Sequence, residues 1–360
     1  MQVSVLGASG FIGSSLCERL VKATDCEVRG VCRVHGIASR SRRDPPSTMV
    51  SYDILGEQKP PDFLPASDVI VDLVSIGPVA PVAASYAALG ASVRNHVAFV
   101  EEVVGLGFSG RYIYLSSGGA VYGNPTRLPL AESHPTCPIS PYGCEKLFIE
   151  ANLERLADRI GLDLVILRPG NVYGEHQRSR PGFGLIPTIY ERVRSRQPVT
   201  IFGSATAGLR DYVHEQDLNS AIIAAAKYRA GTGAKGAVFN IGTGVGTLTQ
   251  EVCALTSAIL RRPVSYRFRD LRETDVSTNI LDARRAMKEL GWVAKIALYD
   301  GLAATLSAWN ADRSSVEPSR ANRSIGGREG REGDHYGTKA HFAHRRKQDR
   351  KFGGPKLSQA

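Results

Sequence analysis

Short apolar runs punctuate the first half of the chain, separated by stretches of helical period. MQVSVLG, CEVRGVCR, TMVSYDI, SDVIVDLVS, GRYIYLSS and LDLVILRPG read as strands. SSLCERLVKA, an alanine-rich stretch within 79–106 and the segment SPYGCEKLFIEANLERL read as helices. Continuous rather than alternating apolar runs predict strands buried on both faces of a parallel sheet. Their alternation with helices predicts an α/β fold, a doubly wound sheet covered on both sides. Such sheets bind ligands beyond the carboxyl ends of their strands. Gly7, Asp53, Ser75, Ser116 and Arg168 all fall at or just past those ends.

The first turn carries the first chemistry. Gly7-Ala8-Ser9-Gly10-Phe11-Ile12-Gly13 joins the first strand to the first helix. Glycines there let backbone N–H groups approach a pyrophosphate at the helix N-terminus. The spacing is G-x2-G-x2-G, so the turn departs from the G-x-G-x2-G dinucleotide fingerprint while keeping its strand–turn–helix setting.

Tyr142 and Lys146, spaced Y-x3-K, fall one turn apart on the same helix face. An ammonium beside a phenol favours the phenolate and makes a poor acid usable near neutral pH. The pair is a candidate proton relay.

Composition changes little of this picture. A chain of 360 residues buries a sizeable core. It has no apolar run of the roughly 18 residues a membrane span needs, and no signal peptide is visible. The six cysteines show no C-x2-C spacing and no partnering histidines, which predicts a reducing cytoplasm and no bound metal. Of the formal +10 charge, +6 belongs to residues 311–360, which hold twelve Lys/Arg and six Asp/Glu, leaving +4 for the rest. With almost no apolar periodicity, that stretch cannot offset its ordering entropy by burial and reads as a disordered basic tail. It is expected to be a solvated appendage, with nucleic acid or an anionic surface as the alternative partner. The division expected is a dinucleotide-binding core with the catalytic helix over 1–170, and a mainly substrate-binding lobe over 171–311 that returns elements to the sheet. The tail then covers 312–360.

Taken in order, GASGFIG, LSSGGAVYGNPTRLPLAESHPTCPISPYGCEK, LRPGNVYG, GLIPTIYERVRSRQPVTIFG, RDYVHEQDL, FNIGTG, RETDVSTNILDARRAMKELGW and LYDGLAATLSAW make a more specific pattern than any one motif. Over residues 1 to about 309 the chain resembles an extended short-chain dehydrogenase/reductase of the NAD-dependent nucleotide-sugar epimerase/dehydratase family. Within it the likeness is to UDP-glucose and UDP-N-acetylglucosamine 4-epimerases. The resemblance implies a Rossmann core, a smaller substrate-binding lobe, a homodimer, and C4 epimerisation of a UDP-hexose by transient oxidation to a 4-keto sugar. Tyr142 would take the hydroxyl proton, and Lys146 would hold the nicotinamide ribose.

Two departures stand out. The family's Ser or Thr three residues before the VYG valine is Gly118 here, and Ser117 is the nearest hydroxyl. The Gly118-Gly119 pair would let the backbone shift so that Ser117 serves. At the end of the second strand no carboxylate meets the adenosine ribose; Arg33 stands there, suited to adenine or to a 2′-phosphate, which leaves NADP open. The cycle regenerates its cofactor, and NAD is the expected dinucleotide. Asp53 and Ile54 match the family's pair at the adenine ring, and Ser75 and Asn95 line the cofactor channel by resemblance. On the substrate side the likeness assigns Asn171, Arg210 and Arg272 to the diphosphate, with Tyr212 beside them and Asp275 on the uridine ribose. Asn279 falls where the family has a gate beside the C2 substituent of the sugar. A small polar residue there leaves room for an N-acetyl group, so UDP-glucose and UDP-N-acetylglucosamine both stay open.

A dehydratase or 4-ketoreductase on the same scaffold is the neighbouring enzymatic reading. Gly119-Ala120 stands where dehydratases carry an Asp-Glu pair. A catalytically silent dinucleotide-binding protein is the reading from another class; the Tyr142/Lys146 pair and the sugar-side arginines oppose it.

Overall fold

The strands form where the apolar runs predict them. In this computed structural model residues 1–23, 25–33, 48–54, 56, 59–75, 86–178, 184–205, 208–229 and 236–314 are described. The first seven strands are β1 (Gln2–Leu6), β2 (Glu27–Cys32), β3 (Thr48–Ser51), β4 (Val69–Asp72), β5 (Arg111–Leu115), β6 (Asp163–Pro169) and β7 (Asn171–Tyr173). After them come β8 (Val199–Phe202), β9 (Leu209–His214), β10 (Ala237–Ile241), β11 (Gly246–Thr247), β12 (Tyr266–Arg269) and β13 (Thr278–Asn279). The helices are α1 (Phe11–Val21), α2 (Tyr86–Gly105), the single turn α3 (Gly118–Val121), α4 (Pro141–Ile160) and α5 (Leu185–Arg194). Later in the chain lie α6 (Glu215–Lys227), α7 (Thr249–Leu260), α8 (Arg284–Leu290) and α9 (Leu298–Ser314).

Seven strands make one sheet in the order β10-β6-β5-β4-β1-β2-β3, with every neighbouring pair parallel. One face is covered by α1 and α6, through Leu16 and Leu20, Leu218 and Ile222. The other is covered by α2 and α4, through Phe99, Val103, Ile149 and Leu153. Burial on both faces accounts for the unbroken apolar stretches VIV of β4 and VIL of β6. The sheet is therefore doubly wound, as a Rossmann-like α/β fold. Strand order reverses between β1 and β4, which opens a ligand crevice at their carboxyl ends.

The second half builds a smaller core from α5, β8, α7 and α9, centred on Ile189, Val199, Ile201, Val252 and Leu302. It also returns β10 to the main sheet beside β6. Residues Met1–Ser315 group as one compact unit. Helix α9 runs to Ser314, past the expected tail boundary at 312, and the remainder of that tail lies outside the described residues. The expected alanine-rich helix is present from Tyr86; its first residues, 79–85, also lie outside them.

Candidate active site

The glycine turn after β1 is shaped by backbone contact. Gly7 adopts φ +78°, and a Cβ on it would stand 3.5 Å from Leu73, just past β4, so the turn sits at the strand-order reversal. A Cβ on Gly13 would stand 2.3 Å from the Gly7 carbonyl oxygen and 2.8 Å from Ala8 Cα. No side chain fits there, and α1 packs directly on the turn. Gly10 begins α1 without a side-chain cap. Ser9, Phe11 and Ile12 are half-buried along this edge. The arrangement fits a dinucleotide, whose pyrophosphate needs this close backbone approach at a helix N-terminus.

Along the same edge, Arg33 is exposed at the end of β2. Asp53 is half-buried just past β3, and Ile54 is buried at 3 % exposure in the core. Asn95 lies half-buried on α2. Past β4, the Ser75 hydroxyl donates to Glu145 Oε2 at 3.1 Å, which joins this edge to α4.

Ser140 caps that helix by accepting from the Gly143 N–H at 3.1 Å, and Pro141 opens it. A Cβ on Gly143 would meet the Ala120 carbonyl oxygen at 2.8 Å, so glycine lets α4 press against α3. This brings the Ser117 hydroxyl beside the Tyr142 phenol, where it lowers the phenol's pKa. Ser117 has extended geometry (φ −151°, ψ 103°) as the residue that starts α3. Position 118 has no room for the family's hydroxyl side chain: a Cβ there would lie 2.7 Å from Leu281 Cδ1 and 2.8 Å from the Arg168 carbonyl oxygen. Ser116 points elsewhere, with its hydroxyl buried and without a partner among the described residues.

Lys146 is buried at 3 % exposure. Its ammonium donates to Leu115 O at 2.7 Å and to Val74 O at 3.3 Å, and stands 4.7 Å from the centre of the Tyr114 ring. Burial lowers its pKa, with the charges of Glu145, Asp72 and Glu150 acting the other way. Burial pushes the Tyr142 phenol up to about 12; the Ser117 hydroxyl pulls it down and the Glu145 charge raises it further. The direct influence that favours the phenolate is thus the serine, while Lys146 is turned onto the carbonyls at the ends of β4 and β5.

Sequence spacing missed Glu145, which stands between Tyr142 and Lys146 at 0 % exposure. Its carboxylate accepts from Ser75 and, at 2.7 Å, from Ser92 on α2. Nor did it signal the buried Asp72–His96 pair, to which Tyr112 also donates. Burial raises the Asp72 pKa, but His96, Tyr112 and the Val74 N–H outweigh it and hold the carboxyl below its ordinary value. A charge with only a helix position to mark it gives no sequence signal of its partner.

The residues expected on the sugar-nucleotide side lie on β7, β9 and β13 and in the segment before β13. Asn171 starts β7, with its Oδ1 only 3.0 Å from where a Gly119 Cβ would stand, beside the Ser117 turn. Arg210 on β9 donates to Leu209 O and Ser277 O at 3.1 and 3.0 Å, and also to Val276 O. Tyr212 is buried at 6 % in the smaller core, edge-on to Tyr173. The Arg272 guanidinium forks onto Asp275 through two 2.7 Å bonds and stacks 4.4 Å from the Phe202 ring centre. Asn279 is buried at 1 %, and its Nδ2 donates to Gly118 O at 2.7 Å. His214 and Asp217, which follow Tyr212, are structural: His214 caps α6, and Asp217 accepts from the N–H groups of Lys295 and Ile296.

The sequence pattern that defines the NAD dependent epimerase/dehydratase family matches residues 3–242. The chain belongs to that family. Among its relatives, the UDP-glucose 4-epimerase of Mycolicibacterium smegmatis is 29 % identical over 321 residues, which cover 85 % of this chain and 97 % of the relative. Among solved structures, the Thermotoga maritima UDP-glucose 4-epimerase with UDP-glucose is 28 % identical with a TM-score of 0.73, covering 88 % of this chain and all of that one. MoeE5 in complex with UDP-glucuronic acid and NAD is also 28 % identical, with a TM-score of 0.74 over 87 % of this chain and all of its own. Members of this family use NAD, and the glycine turn of this chain is built for it. Among the described residues no helix is long and apolar enough to cross a membrane.

Proposed function

We propose that this protein is an NAD-dependent 4-epimerase of UDP-hexoses, acting on UDP-glucose/UDP-galactose or on the N-acetylated pair. The observation that supports the reading is the packing of α3 on α4, which sets Ser117 beside Tyr142, with Lys146 fixed on the carbonyls at the carboxyl ends of β4 and β5. NAD, when bound, supplies the hydride acceptor and donor at sugar C4. Tyr142 takes the proton of the C4 hydroxyl and, after the 4-keto sugar has turned over, returns it to the C4 carbonyl oxygen as hydride enters the opposite face of C4. Ser117 donates to the phenolate and shares the reacting hydroxyl. Lys146, fixed by two carbonyls, keeps its remaining donor capacity for the nicotinamide ribose.

Turnover of the keto sugar requires the nucleotide to stay held while the hexose rotates. Asn171, Arg210 and Arg272 serve the diphosphate, for which guanidinium forks have the matching geometry. Asp275 orients Arg272 and accepts from the uridine ribose; Tyr212 supports the lobe behind them. Gly7, Ser9, Gly10, Phe11, Ile12, Gly13, Arg33, Asp53, Ile54, Ser75 and Asn95 form the dinucleotide groove. Relatives with UDP-glucose and UDP-glucuronic acid bound support a UDP-sugar as the substrate class.

We infer a cytoplasmic homodimer paired through α2 and α4. Phe148, 48 % exposed on α4, supports that face, and six free cysteines support the reducing compartment. Incubation with UDP-glucose and with UDP-N-acetylglucosamine, followed by proton NMR, tests the function: C4 epimers of either support it, and no turnover of both by NAD-loaded protein overturns it.

A further inference from the structure

The segment from Arg272 to Leu281 is stitched to the catalytic turn at several points. Ser277 donates through its N–H and hydroxyl to Asn124 Oδ1 at 2.7 and 3.0 Å, just past the VYG tripeptide. The Leu130 N–H donates to Ile280 O at 2.8 Å. Leu281 covers Gly118, and its N–H donates to Asp211 Oδ2 at 3.2 Å. Asn279 is the one side chain of β13 that reaches the turn itself, through the 2.7 Å bond to Gly118 O. It pairs in register with Arg210 of β9.

A carbonyl held this way fixes the peptide plane that follows Gly118. Glycine at 118 and 119 weakens the intrinsic hold of the single turn α3 on that plane. In the proposed reaction its neighbour Ser117 must nevertheless keep its hydroxyl aimed at Tyr142. A buried amide donating to the loose carbonyl supplies the missing restraint, and a buried carbonyl left without it would lose a hydrogen bond.

We propose that Asn279 is a positioning residue: by holding the Gly118 carbonyl it fixes the Ser117 hydroxyl against Tyr142 and couples the Arg210 strand to the catalytic turn. This rests on the proposed roles of Ser117 and Tyr142, and it gives Asn279 a function other than a gate at the sugar C2 substituent.

The test uses Asn279→Asp, which keeps the shape but presents an ionised oxygen to the carbonyl, beside Asn279→Ala, which adds no charge. Both should lower kcat about tenfold or more, as loss of one positioning hydrogen bond implies. KM should stay nearly constant, and UDP-glucose and UDP-N-acetylglucosamine turnover should fall by the same factor. In Asn279→Asp the deficit relative to wild type should shrink as pH falls, because a protonated carboxyl again donates to Gly118 O. Wild-type kcat in both variants, or a changed preference between the two sugars at undiminished kcat, overturns the proposal. Hydrogen exchange of the peptide spanning 116–123 gives a readout independent of turnover: uptake should rise in both variants, and unchanged uptake overturns the clamp. Should wild-type protein epimerise neither sugar, the functional reading fails while this exchange arm still decides the clamp.

Discussion

The Lys146 ammonium donates to the Leu115 carbonyl at 2.7 Å, two residues before Ser117 in the chain. One lysine thus anchors the catalytic helix to the strand end from which the serine turn departs. Lys146→Met should leave the fold intact, remove the charge and lower kcat by about 100-fold or more. Bound dinucleotide, measured by absorbance after denaturation, should fall as well. A variant that keeps full NAD and full turnover would remove Lys146 from the mechanism.

Ser117 is the polar neighbour that favours the Tyr142 phenolate. Ser117→Ala should therefore raise the pH at which the base becomes ionised, moving the acidic limb of the kcat profile upward, and should cut kcat by roughly 100-fold at neutral pH. Tyr142→Phe should abolish turnover with NAD still bound. An unmoved pH profile in Ser117→Ala would assign the hydroxyl elsewhere.

Gly118 occupies the family's serine position but has no space for a side chain. Gly118→Ser in the Ser117→Ala background should not restore activity. The added atoms meet Leu281 and the Arg168 carbonyl, and overpacking of this kind costs about 1–3 kcal/mol. Thermal unfolding of Gly118→Ser alone should show a lowered midpoint. Restored turnover with an unchanged midpoint would refute the steric argument.

His176 lies between two carboxylates, 2.7 Å from Glu215 and 3.0 Å from Glu18, and ties α1 to the start of α6. Burial lowers the histidine pKa, but the bonds and charges of Glu215 and Glu18 outweigh it and raise it above 6.5. A raised folded pKa means stability fully present below 6.5 and lost as pH rises through the folded value. Glu18, held below 4.5 chiefly by its bond to Lys22, contributes stability present above 4.5 and lost as pH falls. The midpoint difference between wild type and His176→Gln should be greatest between those pH values and shrink toward pH 9. A difference that does not change with pH would show that the imidazolium is not the tie.

The parallel sheet was legible because its strands are buried on both faces and read as unbroken apolar runs, as in VIV of β4 and VIL of β6. The glycine turn was legible because local sterics dictate it, with Gly13 pressed on Gly7. The resemblance offered Ser117 in place of a hydroxyl at 118, and the contacts a Cβ at 118 would make with Leu281 and the Arg168 carbonyl explain why glycine stands there. What stayed hidden are pairings between distant residues. Asn279 and Gly118 are 161 positions apart, His176 and Glu18 are 158 apart, and Glu145 meets serines on two other elements. β13 is only two residues long, too short for a periodic signal, so nothing in the chain announced that it carries a clamp.

The central claim is reversible oxidation at sugar C4 within one enclosed site. UDP-glucose carrying deuterium at C4 tests it most directly, with mass spectrometry and NMR of the product. The account predicts UDP-galactose that retains the deuterium at C4 without exchange into water. Product with solvent hydrogen at C4, or deuterium left only in unconverted UDP-glucose, would contradict it.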